Sequence, residues 1–82
     1  MKLTLEEAQK ISTELKSKFI QATVGVGLDK LYFYVYSTDP MITCNCSRWS
    51  FDKTAKEVTE KRLSQFDNVV VTATGVPRAA SV

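Results

Sequence analysis

Apolar and polar side chains alternate without interruption in the segment LYFYVYS, residues 31–37. Successive side chains of a β-strand point to opposite faces, so Tyr32, Tyr34 and Tyr36 would share one face of the strand. The leucine, phenylalanine and valine between them would share the other face. The pattern therefore predicts a strand with one face in the core and one face made of tyrosines.

Two other segments repeat their apolar residues every three or four positions, which is typical of amphipathic helices. The first begins with a capping-box sequence, Thr4 and Glu7, and its apolar stripe is Leu5, Ala8, Ile11, Leu15 and Phe19. The second follows the aperiodic segment 37–50, with Ser50, Asp52 or Thr54 as its cap. Its imperfect stripe is Phe51, Ala55, Val58, Leu63 and Phe66. We expect two helices, with a long loop before the second.

Two further segments alternate as strands do. Residues 22–28 precede the tyrosine strand, which predicts a hairpin with Tyr32 opposite Gly27 and Tyr34 opposite Gly25. The core face of its first strand would carry Val24, Val26 and Leu28. Residues 68–75, NVVVTATG, alternate again and predict a third strand.

The order of these elements is α-β-β-α-β, which predicts a single small α+β domain over residues 1–76 and a short C-terminal tail at 77–82. The three strands would form one antiparallel or mixed sheet. Both helices would cover one face of this sheet, because only one face of each strand is uniformly apolar. A right-handed crossover would place the third strand beside the first, antiparallel to it, in the spatial order 2-1-3.

Length and composition limit the possible classes of protein. A chain of 82 residues has room for one domain with a small core. Its net charge of +2 is spread along the chain, so it neither indicates nor excludes nucleic-acid binding. No apolar run approaches the roughly 20 residues that span a bilayer, and the N-terminus lacks the apolar core of a secretory signal. We expect a cytoplasmic protein without a membrane segment.

The sequence contains few of the residues that catalysis and metal binding require. Histidine is absent, and no glycine-rich phosphate loop is present. Cys44 and Cys46 supply two thiols, whereas a tetrahedral zinc site needs four ligands and hence a second chain. A disulfide between residues two apart is strained, so we interpret these cysteines as free thiols. We expect no catalytic residue, no metal and no cofactor.

The tyrosine strand is the strongest candidate for a binding site. Three phenol rings on one face form a surface that is apolar in the ring and polar at the hydroxyl. Two alternatives are that the rings shield the backbone of Gly25 and Gly27, or that the open sheet forms a homodimer. Arg48 and Trp49 are second candidates, because both residue types are enriched among interface anchors. Trp49 could instead close one end of the small core.

These features favour a small non-enzymatic protein-binding module that acts as an inhibitor or adaptor of a larger macromolecular complex. Phage or other mobile-element proteins that block a host defence complex, such as a CRISPR effector, are one class of such chains. The alternative is a single-stranded nucleic-acid-binding module in which bases stack on the tyrosines. Few basic residues accompany the strands, so protein binding is the first hypothesis. The predicted contact residues are Tyr32, Tyr34, Tyr36, Arg48 and Trp49.

Overall fold

The structure, a computed structural model, describes residues 1–42 and 45–73, with all side chains in these ranges except those of residues 45–47. Its elements follow the predicted order: α1 (Leu5–Lys16), β1 (Ile20–Val26), β2 (Leu31–Ser37), α2 (Asn45–Arg62) and β3 (Val69–Ala73). The strands form one mixed sheet, which confirms a small α+β domain. The predicted domain end at residue 76 and the tail at 77–82 lie outside the described residues.

Helix α1 begins at the predicted capping box. The Thr4 hydroxyl accepts a hydrogen bond from the Glu7 amide, and the Glu7 carboxylate accepts one from the Thr4 amide. The inner positions of its stripe are buried: Ala8, Ile11 and Leu15. Phe19 was expected to continue this stripe, but it lies in the turn after the helix, exposed and with a φ of 60°. The stripe is therefore shorter than predicted, because the helix ends before that residue.

The hairpin pairs β1 with β2 in a register two residues away from the predicted one. Tyr32 lies opposite Gly25, and Tyr34 lies opposite Thr23. The predicted partners were Gly27 and Gly25, each two positions further along the chain. The turn 27–30 is the reason, since a 2.8 Å hydrogen bond joins the amide of its first residue to the carbonyl of its last. A shift of two residues keeps every side chain on its predicted face.

The predicted strand order 2-1-3 is wrong. β3 lies beside β2 and parallel to it, so the order in the sheet is β1-β2-β3. In the part of the chain that the structure describes, β1 and β3 are the edges of the sheet. α1 packs against β1, whereas α2 packs against β2 and β3. α2 connects β2 to β3 and packs against both strands, so it carries β3 to the position beside β2 that β1 leaves free.

One hydrophobic cluster combines buried residues of both helices with the apolar face of the sheet. Phe33 and Val35 of β2 are fully buried within it. Its other buried members are Leu3, Ala8, Ile11, Leu15, Ile20, Ala22, Leu31, Ala55 and Leu63. The cluster is consistent with both helices lying on the apolar face of the sheet, although the position of the helices on one face stays a prediction.

Helix α2 begins earlier than predicted. It starts at Asn45, so none of the three predicted caps begins it. Arg48 and Trp49 consequently lie in its first turns rather than in the preceding loop. The helix ends at Arg62, and the last two residues of the predicted stripe, Leu63 and Phe66, follow it.

Asp52, one of the predicted caps, has a tertiary role instead. It is fully buried, and its carboxylate accepts a 2.6 Å hydrogen bond from the amide of Ser37 at the end of β2. The last described residue pair between β2 and β3 is Val35 with Ala73, and this bond lies two residues further along β2. Asp52 therefore fastens α2 to the end of the central strand.

Candidate functional site

The predicted site lies on one face of the sheet, called here the tyrosine face. Its described members are Gln21, Thr23, Gly25, Tyr32, Tyr34, Tyr36, Val70 and Thr72. The register places Tyr34 between Thr23 on β1 and Thr72 on β3. All three side chains are exposed, with 40% of Tyr34 accessible to solvent. Tyr34 is therefore the centre of an open row that has a hydroxyl group on each side.

The rings of Tyr32 and Tyr34 pack against each other. Their centroids are 6.4 Å apart and their planes differ by 16°, which is a stacked arrangement. Tyr32 and Tyr36 are half-buried, so Tyr34 is the most accessible of the three tyrosines. Stacking along the strand restricts the two rings before any partner arrives.

Both stacked rings also lean across β1 and lie over its glycines. A Cβ atom added to Gly27 would lie 2.5 Å from Cε2 of Tyr32, and one added to Gly25 would lie 3.2 Å from Cε2 of Tyr34. The space over each glycine is thus occupied by a ring, as the backbone-shielding alternative predicts. The exposed fraction of Tyr34 shows that shielding and an accessible aromatic surface occur together.

The described members of the tyrosine face carry no formal charge. The face offers aromatic rings, aliphatic carbon and a few hydroxyl and amide groups. A surface of this composition suits a partner that contributes apolar side chains and hydrogen-bonding groups, as protein interfaces do.

Arg48 and Trp49 lie on α2, whereas the three tyrosines lie on β2. Trp49 is 48% exposed, so the alternative that it closes one end of the core is wrong. Its ring lies 5.5 Å from the ammonium nitrogen of Lys53, which is a cation–π contact one helical turn away. Arg48 is half-buried. Among the described residues, Tyr32 and Tyr34 stack on each other, and Trp49 takes no part in this contact.

The cysteines lie largely outside the described residues. Cys44 is one of the residues left out, and only the backbone of Cys46 is described, so their interpretation as free thiols stays a prediction. Within residues 1–42 and 45–73, no three acidic, histidine or cysteine side chains gather in a way that could hold a metal ion. In the same part of the chain, neither helix has the length and apolar content needed to cross a membrane.

A cleft of about 440 Å³ lies between α1 and the residues after α2, with Ile11 and Phe66 in its wall. An ion pair lies at this cleft, in which Nε of Arg62 donates to Oε2 of Glu14 at 2.7 Å. The hydrogen bond from Arg62 lowers the pKa of Glu14 below its usual value, and the same bond raises the pKa of Arg62. Both residues are on the surface, so the pair is a solvent-screened link between α1 and α2.

Two apolar residues of the hairpin that were predicted for the core are exposed instead. Val26 is 68% exposed at the end of β1, and Leu28 is fully exposed in the turn. Alternation correctly assigned Val26 to the core face, where it pairs with Leu31. Alternation does not indicate how far the helices extend along a strand, so it did not identify this exposed apolar end.

Comparison with known proteins found no matching family model, no similar curated protein and no similar solved structure. The tyrosine face is therefore the feature of the molecule that bears on its function.

Proposed function

We propose that this chain is a small non-enzymatic protein-binding module, an inhibitor or adaptor, that contacts a larger protein complex through its tyrosine face. The observation that carries the proposal is the exposed row of Thr23, Tyr34 and Thr72 across all three strands. Exposed tyrosines are frequent interface anchors, because the ring supplies apolar contact area and the hydroxyl supplies a hydrogen bond.

The seating of the rings supports this use of the face. Tyr32 and Tyr34 are stacked on each other and lie over glycines of β1. Rings already held in one orientation lose little freedom on binding, and immobilising a mobile side chain costs about 0.5–1.5 kcal/mol. A pre-arranged aromatic surface on a rigid sheet is therefore a favourable contact region.

The lack of charge on the tyrosine face favours a protein over single-stranded nucleic acid. Platforms that stack bases normally combine aromatic rings with a positively charged groove that follows the phosphates. No lysine or arginine is among the described members of this face. Single-stranded nucleic acid is consequently the second hypothesis, and the experiments below distinguish the two.

The proposal is tested by comparing how two aromatic truncations, Tyr34→Ala and Trp49→Ala, change the affinity for the partner. The parent, Tyr34→Ala and Trp49→Ala proteins are used as baits in a lysate of the source organism, and the affinity of each for the recovered partner is then measured by calorimetry. Tyr34→Ala should weaken binding by roughly tenfold or more, since truncating a central interface aromatic costs about 2–4 kcal/mol. Trp49→Ala removes a ring of similar exposure from α2, 48% against 40% for Tyr34, and should have the smaller effect.

Three results would contradict this proposal. The first is unchanged binding by Tyr34→Ala in a protein that still unfolds cooperatively. The second is a larger loss for Trp49→Ala, which would place the contact on α2. The third is tight binding of a mixed single-stranded oligonucleotide whose affinity falls steeply with salt, as phosphate contacts require. A host defence complex such as a CRISPR effector is one proposed target. The identity of the protein recovered from the lysate tests this proposal directly.

A further inference from the structure

The backbone of β1 has one side bonded to β2 and one side directed away from the sheet. The Thr38 amide donates to the Phe19 carbonyl, and the Gly27 amide donates to the Lys30 carbonyl, both at 2.8 Å. Hydrogen-bonded pairs alternate along an antiparallel ladder, so the odd-numbered residues of β1 bond to β2. The even-numbered residues direct their N–H and C=O groups outward: Ile20, Ala22, Val24 and Val26.

Among residues 1–42 and 45–73, only part of this outer edge finds a hydrogen-bond partner. The Ser12 hydroxyl of α1 donates to the outward carbonyl of Ala22 at 2.7 Å. No described residue bonds to the outward groups of Val24 or Val26. β1 also contains no charged residue and no proline, and its register with β2 is continuous. Edge strands that avoid pairing usually carry a charge, a proline or a bulge.

Exposed apolar side chains lie beside the unsatisfied part of the edge. Val26 and Leu28 are the exposed apolar residues at this end of the hairpin, where Asp29 and Lys30 of the turn are exposed as well. Leu5, at the start of α1, is also exposed and lines the same shallow cleft as Leu28. The free backbone groups and the exposed apolar carbon are thus at the same end of the domain.

We propose that this edge pairs with the β1 strand of a second copy of the chain, antiparallel, so that the two sheets become one continuous six-stranded sheet. The Ala22 carbonyl is already bonded, which leaves Val24 and Val26 for the pairing. A two-fold arrangement that uses these residues places Val24 of each copy opposite Val26 of the other, with both Gly25 residues at the axis. Each valine pair then exchanges two main-chain hydrogen bonds.

Two features of β1 favour a second copy over an unrelated strand. The Tyr34 ring lies over Gly25, so the strand that pairs with β1 needs a small residue at the position facing Gly25 to leave room for the ring. Gly25 of a second copy occupies that position and has no side chain. On the other face, the exposed Val26 meets Val24 of the second copy, and apolar carbon is removed from water. The resulting dimer would present two tyrosine faces side by side. It does not depend on the proposed function of those faces.

The contact consists of a short ladder and a few apolar side chains, less than the roughly 1,200–2,000 Å² of a standard stable interface. The dimer is therefore reversible and forms at micromolar to millimolar concentration. Sedimentation velocity of the full chain between about 10 µM and about 1 mM should show the mass rise from one copy to two. A single mass of one copy throughout this range would overturn the proposal.

Matched lysine substitutions locate the contact. Val26→Lys places a charge on the exposed end of β1, and should weaken the dimer by roughly tenfold or more. Thr23→Lys places the same charge on the same strand but on the tyrosine face, and should change it by less than about threefold. Thermal unfolding confirms that both variants are folded. A dimer that survives Val26→Lys, or that Thr23→Lys disrupts equally, would show that the copies meet elsewhere.

Amide hydrogen exchange supplies a readout at the proposed bonds. In the parent protein, the amides of Val24 and Val26 should exchange quickly at low concentration and become protected as the concentration rises. In the Val26→Lys variant, this concentration dependence should be lost. The amides of Thr23 and Gly25 bond to β2, so their protection should depend little on concentration. Equal protection of Val24 and Val26 at all concentrations would also overturn the proposal.

Discussion

Substitution of Gly27 by alanine tests whether the Tyr32 ring truly rests on β1. Gly27 does not have a positive φ, so alanine fits its backbone conformation. An alanine in such a position would by itself stabilise a protein by about 0.4–1 kcal/mol, because it restricts the unfolded chain. The new Cβ would, however, lie 2.5 Å from Cε2 of Tyr32 and 3.1 Å from the carbonyl oxygen of Lys30. The ring must therefore move.

Moving the ring costs more than the alanine gains. The displaced Tyr32 loses its place over Gly27 and its stacking on Tyr34 at 6.4 Å, and an aromatic pair is worth about 0.5–1.5 kcal/mol beyond buried area. Adding a methyl group to an occupied position typically costs about 1–3 kcal/mol. We expect Gly27→Ala to lower the free energy of unfolding by about 1 kcal/mol. In a Tyr32→Ala background the ring is gone and only the 3.1 Å approach to the Lys30 carbonyl remains, so the same change should raise the free energy of unfolding by no more than about 0.5 kcal/mol.

The measurement is a double-mutant cycle of four proteins, unfolded in urea and followed by far-ultraviolet circular dichroism. The expected coupling energy is about 1–2 kcal/mol. The close approach to the Lys30 carbonyl is present in both backgrounds, so it cancels in the cycle. Gly25→Ala serves as a milder comparison, because its Cβ would lie 3.2 Å from an exposed ring that can shift. A coupling energy below about 0.3 kcal/mol would refute the seating of Tyr32 on Gly27.

Three further predictions concern the core, the link between α2 and β2, and the surface ion pair. Phe33→Ala should lower the free energy of unfolding by about 3–5 kcal/mol in urea titrations, because this ring is fully buried. Asp52→Ala should cost about 1–3 kcal/mol and speed amide exchange at Ser37, which loses its acceptor, whereas Asp52→Asn should keep that amide protected. Glu14→Gln should lower the melting temperature near neutral pH only. The hydrogen bond from Arg62 depresses the pKa of Glu14, so its stabilisation is present above the unfolded-state pKa and is lost as pH falls through the folded-state value. Melting curves of parent and variant should converge in acid, and a difference that persists there would contradict this account.

Features that depend on neighbouring residues were predictable from the sequence. The capping box at Thr4 and Glu7 involves groups three positions apart, and it begins α1 as expected. The strict alternation in residues 31–37 assigns every side chain of β2 to a face, and a two-residue error in hairpin register leaves that assignment unchanged. Tyr34 could therefore be assigned to the tyrosine face, opposite the core residue Phe33, from local pattern alone.

Features that depend on distant partners were decided only by the tertiary structure. β3 lies beside β2 because α2, which connects the two strands, packs against both of them, and no local pattern indicates this arrangement. Asp52 has the residue type of a helix cap, yet its Oδ1 accepts a hydrogen bond from the amide of Ser37, 15 positions earlier.

The start of the chain is held in the same non-local way. The Asn68 side chain both accepts from the Leu3 amide and donates to the Leu3 carbonyl, across 65 positions. The exposure of Val26 likewise depends on which distant residues pack over that end of β1. Periodicity and capping describe interactions within a few residues, whereas strand order, buried polar partners and open surface depend on which elements compete for the same space.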